Sequence, residues 1–243
     1  MLRLLAYFDN QEVWYDLLCI GLSGDLPEWL RTTLEERTSF ESTMGTLVDY
    51  CLVEVQHRSQ SYSMHNCVHD WTLGELNATI TSDFYWYAFD CVAENIKKDD
   101  WDVLAHATYS RISQHAIRLT HSRFEKCNVL EVGIFGREHK AGYIAHMLRE
   151  QVQLLAAEQM YVRALVGYKK ALGSDHISTL GIVNNLGSLY TNRGKLNEAE
   201  AMYLRALAGL EKVLGPEHSS TRCVVRNLDN LRHAQRKTDQ LME

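Results

Sequence analysis

Proline is scarce in this sequence, and long hydrophobic runs are absent from it. Only Pro27 and Pro216 occur among the 243 residues. No apolar run approaches the roughly 18 residues that a membrane-spanning helix requires, so we expect no membrane partner. The apolar start at residues 1–8 ends at Asp9 without a small-residue cleavage site. We therefore interpret it as a buried helix start and not as a secretory signal.

The cysteines are few and widely spaced. There are six of them, and no C-x-x-C pair occurs. Without a secretory signal, free thiols in a reducing compartment are the expected state, so we predict a cytoplasmic protein. The stretch His65-x-Cys67-x-His69 carries side chains that bind metals, but zinc spacings need a second pair. We therefore predict no metal site.

The charges and motifs exclude several classes of function. The chain has 25 basic and 31 acidic residues and a net charge of −6, which argues against nucleic acid as the main partner. No G-x-x-x-x-G-K-[ST] phosphate loop occurs, and no cysteine can be assigned a base that would make it a nucleophile. We therefore predict no catalytic residue and no cofactor. ADP or ATP would bind only if another segment or chain supplied a phosphate loop.

A repeat with a period of 42 residues occupies the last third of the chain. The segment A-E-x-M-Y-x-R-A-L-x-G occurs at residues 157–167 and again at 199–209, and L-G-x-x-H-x-S-T follows both copies. Ala199, Tyr203 and Ala206 have the i, i+4, i+7 spacing of one helix face. The pattern predicts stacked helical hairpins.

Six positions of the second copy have the spacing of a known repeat. They are Leu186, Gly187, Tyr190, Ala199, Tyr203 and Ala206. This pattern resembles the tetratricopeptide (TPR) repeat, and its long period resembles the TPRs of kinesin light chains. One period later, Asp229 replaces the small residue Gly187, so the helix around residues 221–235 should be a polar cap. We predict that residues 143–243 form about two hairpins and a capping helix.

Residues 1–80 show a different pattern. A helix with Phe40 and Met44 on one face precedes alternating residues at 51–55 and 61–64, which are typical of a hairpin. A further helix is expected over residues 68–76. Helices followed by a short hairpin are the order of a winged helix. Five tryptophans are expected to anchor cores, namely Trp14, Trp29, Trp71, Trp86 and Trp101.

The segment Y-S-M-H-N-C-V-H-D-W at residues 62–71 resembles the M-H-D…V-H-D segment of NB-ARC proteins, the P-loop NTPases of the NOD-like receptor type. A winged helix, a helical connector over residues 81–142 and TPRs together resemble a fungal NOD-like receptor. The resemblance implies that His65 is the nucleotide-sensing histidine, which approaches the β-phosphate of ADP. Asn66 replaces the aspartate of the motif, so His65 is either a relic or a sensor that acts in trans. His69 and Asp70 are expected to form a hydrogen-bonded pair.

The first helix of each hairpin is expected to face a groove. Its polar residues that do not pack are Asn184, Ser188, Thr191 and Asn192, joined by Arg149 and Arg226 from the flanking copies. Amide and guanidinium groups bind the backbone and the carboxylates of an extended peptide. Simple solvation of these side chains is the alternative. We predict a protein or peptide partner in this groove, with self-association of the repeats as a further alternative.

These patterns predict a mainly α-helical chain, with a winged-helix-like domain, a small β-hairpin, a helical connector and a short α-α TPR solenoid. The predicted function is protein–protein interaction, as the regulatory part of a signal-transducing NB-ARC–TPR receptor. One alternative is a subunit of a split ADP/ATP switch that uses His65. Another is an adaptor like kinesin light chain, although those light chains carry a coiled coil where this chain has no heptads.

Overall fold

The computed structural model describes residues 1–20, 27–77, 82–98, 105–120 and 136–242. The chain divides into two units, Met1–Gly133 and Ile134–Glu243. Helices dominate both units, and the strands within the described ranges form one antiparallel pair. The predicted mainly α-helical class with a small hairpin is therefore confirmed. The finer division into residues 1–80, 81–142 and 143–243 stays a prediction.

The first unit contains short helices, a hairpin and two longer helices. In chain order they are α1 (Leu2–Leu5), α2 (Tyr15–Cys19), α3 (Glu28–Glu35), α4 (Arg37–Asp49), β1 (Val53–Gln56), β2 (Ser61–Met64), α5 (Asn66–Trp71), α6 (Ser82–Lys98) and α7 (Ala105–Arg118). The helix predicted over residues 68–76 begins two residues earlier, and its last turn, Thr72–Leu76, is a π-helix. In the hairpin, Val53 lies opposite Met64.

The apolar start of the chain lies in the core of the first unit, as the sequence predicts. Its fully buried side chains include Leu4, Tyr7 and Phe8, and α4 adds Phe40 and Met44. The prediction for the tryptophans holds for Trp86, which is buried, and is wrong for Trp29 and Trp71, which are half exposed. Trp71 ends a six-residue helix whose buried side is formed by His69, so its indole faces outward. Trp101 lies outside the described residues.

The second unit is a stack of helical hairpins. Within residues 136–242 its helices are α8 (Glu138–Glu150), α9 (Leu154–Leu172), α10 (Ile177–Asn192), α11 (Leu196–Leu214) and α12 (Ser219–Met242). Each helix packs on the next, so α8 with α9 and α10 with α11 form two hairpins, and α12 packs on α11. The predicted α-α solenoid is therefore confirmed.

Small residues set how closely α10 and α11 approach each other. A methyl group built on Gly187 of α10 would lie 2.7 Å from two ring carbons of Tyr203 on α11. The ring is buried, and Ala199 and Ala206 are buried on the same side of α11. Because interiors are close-packed, a side chain at position 187 would have to push the two helices apart.

The connection L-G-x-x-H-x-S-T is a turn that closes with its own hydrogen bonds. Gly173 has φ 91°, in the left-handed region that favours glycine. Nδ1 of His176 accepts a hydrogen bond from the backbone N–H of Ser178 at 3.2 Å and so caps α10. The hydroxyl of Thr179 donates to the carbonyl of Gly173 at 2.7 Å. The second copy repeats these features at Gly215, His218 and Thr221.

Helix α12 has one apolar and one polar side. Val224, Leu228 and Leu231 are buried in the cluster that α11 also lines. Asp229, which corresponds to Gly187, is exposed, and Arg232, which corresponds to Tyr190, pairs with Glu200 at 3.1 Å. The side of α12 that corresponds to the hairpin contact of α10 is therefore polar, as expected of a capping helix.

The turn between α8 and α9 contains a strained residue. Val152 has φ 60°, and its side chain is 74% exposed. The corresponding residue of the second hairpin is Gly194, with φ 72°. A β-branched residue in the left-handed region costs about 1–2 kcal/mol, whereas glycine adopts this conformation freely.

We expect Val152→Gly to raise the free energy of unfolding by about 1 kcal/mol. Relief of roughly 1–2 kcal/mol of strain outweighs the smaller gain in entropy of the unfolded chain. Urea unfolding followed by far-UV circular dichroism measures the change. Val162→Gly is the matched control, because Val162 is an exposed valine inside α9, and it should lose several tenths of a kcal/mol in helix propensity. A loss of stability in the Val152→Gly protein would contradict the assignment of strain.

Candidate functional site

His65 begins helix α5 and is exposed. Its Nδ1 accepts a hydrogen bond from the backbone N–H of Cys67 at 3.3 Å, so the imidazole caps the helix. The side-chain oxygen of Asn66 accepts a hydrogen bond from the side-chain nitrogen of Asn10 at 2.5 Å. The start of α5 is thus tied to the N-terminal segment at the position where the NB-ARC motif has aspartate. A sensing role for His65 stays a prediction.

His69 is a buried structural histidine. Its Nε2 donates to the carbonyl of Phe8 at 2.9 Å, and its Nδ1 lies 3.4 Å from Nη2 of Arg118, which donates to it. The expected pair with Asp70 is wrong, because both ring nitrogens bond to other groups and Asp70 is exposed. Burial, and then the charge of Arg118, lower the pKa of His69, so the ring is neutral.

A second buried histidine holds the same N-terminal segment. Nδ1 of His115 on α7 accepts a hydrogen bond from the backbone N–H of Asp9 at 3.0 Å, and its Nε2 lies 3.3 Å from the carbonyl of Glu12. Burial lowers the pKa of His115 to about 4. The rings of Phe8 and Trp14 lie 5.8 and 5.7 Å away. The histidines of this unit therefore join helices α5 and α7 to the start of the chain.

An open hollow of about 720 Å³ lies between α3 and α4. It is lined by Glu28, Trp29, Thr32, Thr33, Thr38, Ser39, Ser42 and Thr43. Hydroxyl groups of Thr32, Thr33 and Thr43 donate to carbonyls of their own helices. Glu28 is the one charged residue among those that line the hollow. The hollow therefore has polar walls without a charge pair or an activated nucleophile.

The described parts of the chain hold no cluster of three histidine, cysteine, aspartate or glutamate side chains that would bind a metal ion. Within the same ranges, every helix is too short or too polar to cross a membrane. The predicted interaction residues of the second unit therefore remain the main candidates for a functional site.

Two of the predicted groove residues on α10 contact the packing tyrosine. The hydroxyl of Tyr203 donates to Oγ of Ser188 at 3.1 Å and lies 3.4 Å from Oγ1 of Thr191. The Thr191 hydroxyl also donates to the carbonyl of Gly187 at 3.0 Å. Ser188 and Thr191 are thus half-buried parts of the contact between α10 and α11.

The structure brings α10 and α12 together through amide groups. The side-chain oxygen of Asn184 accepts a hydrogen bond from the side-chain nitrogen of Asn227 at 3.0 Å. Asn192 on α10 and Arg226 on α12 are exposed. The prediction did not include Asn227, although it lies one period after Asn185 and the repeat pattern was a signal that could have found it.

Arg149 lies on α8 and contacts its own helix. Its Nη2 donates to Oε1 of Glu150 at 2.7 Å and lies 3.2 Å from Nε2 of His146. Burial, and then the charge of Arg149, lower the pKa of His146. His146 and Arg149 correspond to Ser188 and Thr191 of the second hairpin, so the two hairpins differ in polar chemistry at these positions.

The tyrosine of the first hairpin differs from its counterpart in the second. Tyr161 corresponds to Tyr203 and is fully buried, but its hydroxyl has no hydrogen-bond partner among the described residues. Burial raises the pKa of Tyr161 to about 12, so the phenol stays neutral. The packing role of the tyrosine is therefore shared by both hairpins, whereas its hydrogen bonds are found in the second.

The repeats match a known family. Residues 141–178 and 179–220 match the tetratricopeptide repeat family, and the two matches adjoin each other along α8 to α12. The second unit thus contains tetratricopeptide repeats, which bind proteins or peptides. A solved structure, described as the crystal structure of BtubC (BKLC) from P. vanneervenii, is 18% identical over 92% of this chain and 85% of that chain, with a TM-score of 0.39. No curated protein gives a significant match.

Proposed function

We propose that this chain is a protein-interaction module, and that it is the regulatory part of a cytoplasmic NB-ARC–TPR receptor that performs no catalysis itself. The observation that carries the proposal is the pair of adjoining tetratricopeptide repeats at residues 141–220. The exposed side chains of Asn192 and Arg226, with the amide pair of Asn184 and Asn227, supply the groups that bind a peptide backbone and a carboxylate.

The receptor context rests on the first unit. The M-H-N-C-V-H-D segment resembles the end of the NB-ARC winged helix, and helices α3 and α4, the hairpin and α5 follow in the order of that fold. The exposure of His65 at the start of α5 also favours a second candidate, a split switch in which another chain supplies the phosphate loop.

A nucleotide titration separates these two candidates. We expect the chain alone to show no change in melting temperature with millimolar ADP, because the sequence has no phosphate loop and His65 offers one side chain. Differential scanning fluorimetry of the wild type and of His65→Ala provides the measurement. A rise of several degrees that His65→Ala abolishes would replace the interaction module with the split switch.

Site-specific photocrosslinking tests the groove. We expect a benzoylphenylalanine at position 192 to crosslink to a protein from an extract of the source cells. Asn184→Ala with Arg226→Ala should reduce that product about tenfold, because it removes an amide and a guanidinium contact. Position 211, exposed on α11, is the matched control. Equal products at positions 192 and 211, unaffected by the double substitution, would contradict the groove.

A further inference from the structure

The outer side of α9 carries an apolar stripe. Leu155, Val162 and Val166 are 68%, 44% and 42% exposed. They lie at i, i+7 and i+11, so they form one line that extends for about 17 Å along the helix. This line lies opposite the side of α9 that Ala157, Tyr161 and other buried residues occupy. Single exposed apolar residues need no explanation, but a line of three in one helix does.

The second hairpin shows that the fold does not require this stripe. One period later, Asn197 replaces Leu155, and Ala208 replaces Val166. Helix α11 nevertheless has the same bounds within its hairpin and the same buried tyrosine. The apolar residues on the outer side of α9 are therefore specific to the first hairpin.

The strained turn lies next to this stripe. Val152 precedes α9 by two residues and exposes its side chain in the left-handed conformation that Gly194 adopts in the second hairpin. Strain of this kind marks positions that serve a function other than stability. Val152 adds a fourth exposed apolar side chain close to Leu155. We refer to Val152, Leu155, Val162 and Val166 as the outer stripe.

The charges beside the outer stripe are basic. On a helical projection, Lys169 lies on one edge, and Arg163 and Lys170 lie on the other. The carboxylate on α9, Glu158, pairs with Arg193 and lies 3.9 Å from Lys195. In α11 the position of Lys169 is occupied by Glu211. A basic border in a chain with a net charge of −6 selects a partner of opposite charge.

We propose that the outer stripe binds an amphipathic helix of a partner protein, whose apolar residues are bordered by carboxylates. The length of the stripe accommodates anchors at i, i+3 or i+4 and i+7 of such a helix. Lys169 and Lys170 form ion pairs with its acidic edges and set its orientation. This surface lies on α9 and is separate from the groove residues on α10 and α12.

Fluorescence anisotropy with two labelled synthetic helices tests the proposal on the full chain. One helix, about five turns long, carries a leucine stripe with glutamate on both edges, and the other has lysine at the glutamate positions. We expect saturable binding of the acidic helix and about tenfold weaker binding of the lysine helix. Absence of binding by the acidic helix, or equal binding of both helices, would overturn the proposal.

A variant built from the residues of α11 supplies the second arm. Leu155→Asn, Val166→Ala and Lys169→Glu together should weaken binding of the acidic helix at least about tenfold. The variant should fold, because α11 carries these residues at the same positions. Leu204→Asn, on the exposed side of α11, is the matched control and should leave the affinity within about twofold. Equal weakening by the control would remove the outer stripe as the binding surface.

Three further measurements distinguish other occupants. Asn184→Ala with Arg226→Ala should leave binding of the acidic helix unchanged, so failure of the groove and failure of the outer stripe are separable. Sedimentation velocity should show a monomer; a dimer that the triple substitution dissolves would make a second copy the occupant. Vesicles of phosphatidylcholine and phosphatidylserine should not bind. Vesicle binding that the triple substitution abolishes would make the surface a membrane contact and overturn the proposal.

Discussion

Acidification from about pH 7 to about pH 4 should destabilise the first unit by about 3 kcal/mol through His115 alone. The folded unit holds this imidazole neutral, with a pKa of about 4, whereas an unfolded histidine has a pKa of about 6.5. Above about pH 6.5 both states are neutral and the contribution is constant. As the pH falls below that value, the unfolded chain gains a proton that the folded unit rejects. Each unit of difference is worth about 1.4 kcal/mol.

The groups around His115 make its neutral form specific. Nδ1 accepts the N–H of Asp9, so a proton on Nδ1 would break this bond. The side chain of Arg111, which pairs with Glu12 at 3.0 Å, also opposes a positive charge there, whereas the carboxylate of Asp9 favours it. Burial outweighs the carboxylate. His69 adds to the effect in the same direction, because its pKa is lowered as well.

Urea unfolding at several pH values, read from tryptophan fluorescence, measures this effect. His115→Gln keeps a donor and an acceptor but does not titrate. It should be less stable at neutral pH and should lose much less stability between about pH 6.5 and about pH 4. His57→Gln, in the exposed turn of the hairpin, is the control and should retain the wild-type slope. A wild-type slope in the His115→Gln protein would show that other groups cause the acid sensitivity.

The second large effect concerns two glycines of helix α10. Gly187→Ala should lower the free energy of unfolding by about 2 kcal/mol. Its methyl group meets the buried Tyr203 ring at 2.7 Å, an overpacking that costs up to about 3 kcal/mol and exceeds the roughly 1 kcal/mol gain in helix propensity. Gly181→Ala should raise it by about 1 kcal/mol, because a methyl group there meets no atom within 4 Å.

A double substitution identifies the cause of the loss. Tyr203→Leu alone should destabilise the second unit, because it removes a ring that fills the space beside Gly187. In the Gly187→Ala background it should cost about 1–2 kcal/mol less, since the smaller side chain leaves room for the methyl group. Thermal and urea unfolding of the four proteins give the coupling energy. Equal stability of the Gly187→Ala and Gly181→Ala proteins would show that the hairpin tolerates a wider separation.

The architecture of the second unit followed from the sequence because its signal is local and repeated. A period of 42 and the small residues at Gly187, Ala199 and Ala206 predict hairpins that approach closely, and the structure has them. The repeated histidine and threonine of the connection were also visible. Their hydrogen bonds were not, because a motif shows which residues recur and not which atoms they contact.

The contacts that sequence reasoning missed join distant residues. His69 has Asp70 beside it, yet its ring bonds to Phe8 and to Arg118, which lie 61 and 49 residues away. Similarly, the repeat pattern placed Ser188 and Thr191 on the groove face, but the hydroxyl of Tyr203 reaches both from α11. Tertiary contacts of this kind depend on the packing of whole helices, which periodicity does not encode.

The joint between hairpins has a consequence for how such a stack changes in length. In each copy the glycine, the capping histidine and the threonine bond within eight residues, and no side chain from elsewhere completes the turn's hydrogen bonds. A segment cut and rejoined at two such joints brings both its ends with it. Duplication or deletion of one 42-residue block therefore leaves every joint intact, and the number of hairpins can vary by recombination without new loops.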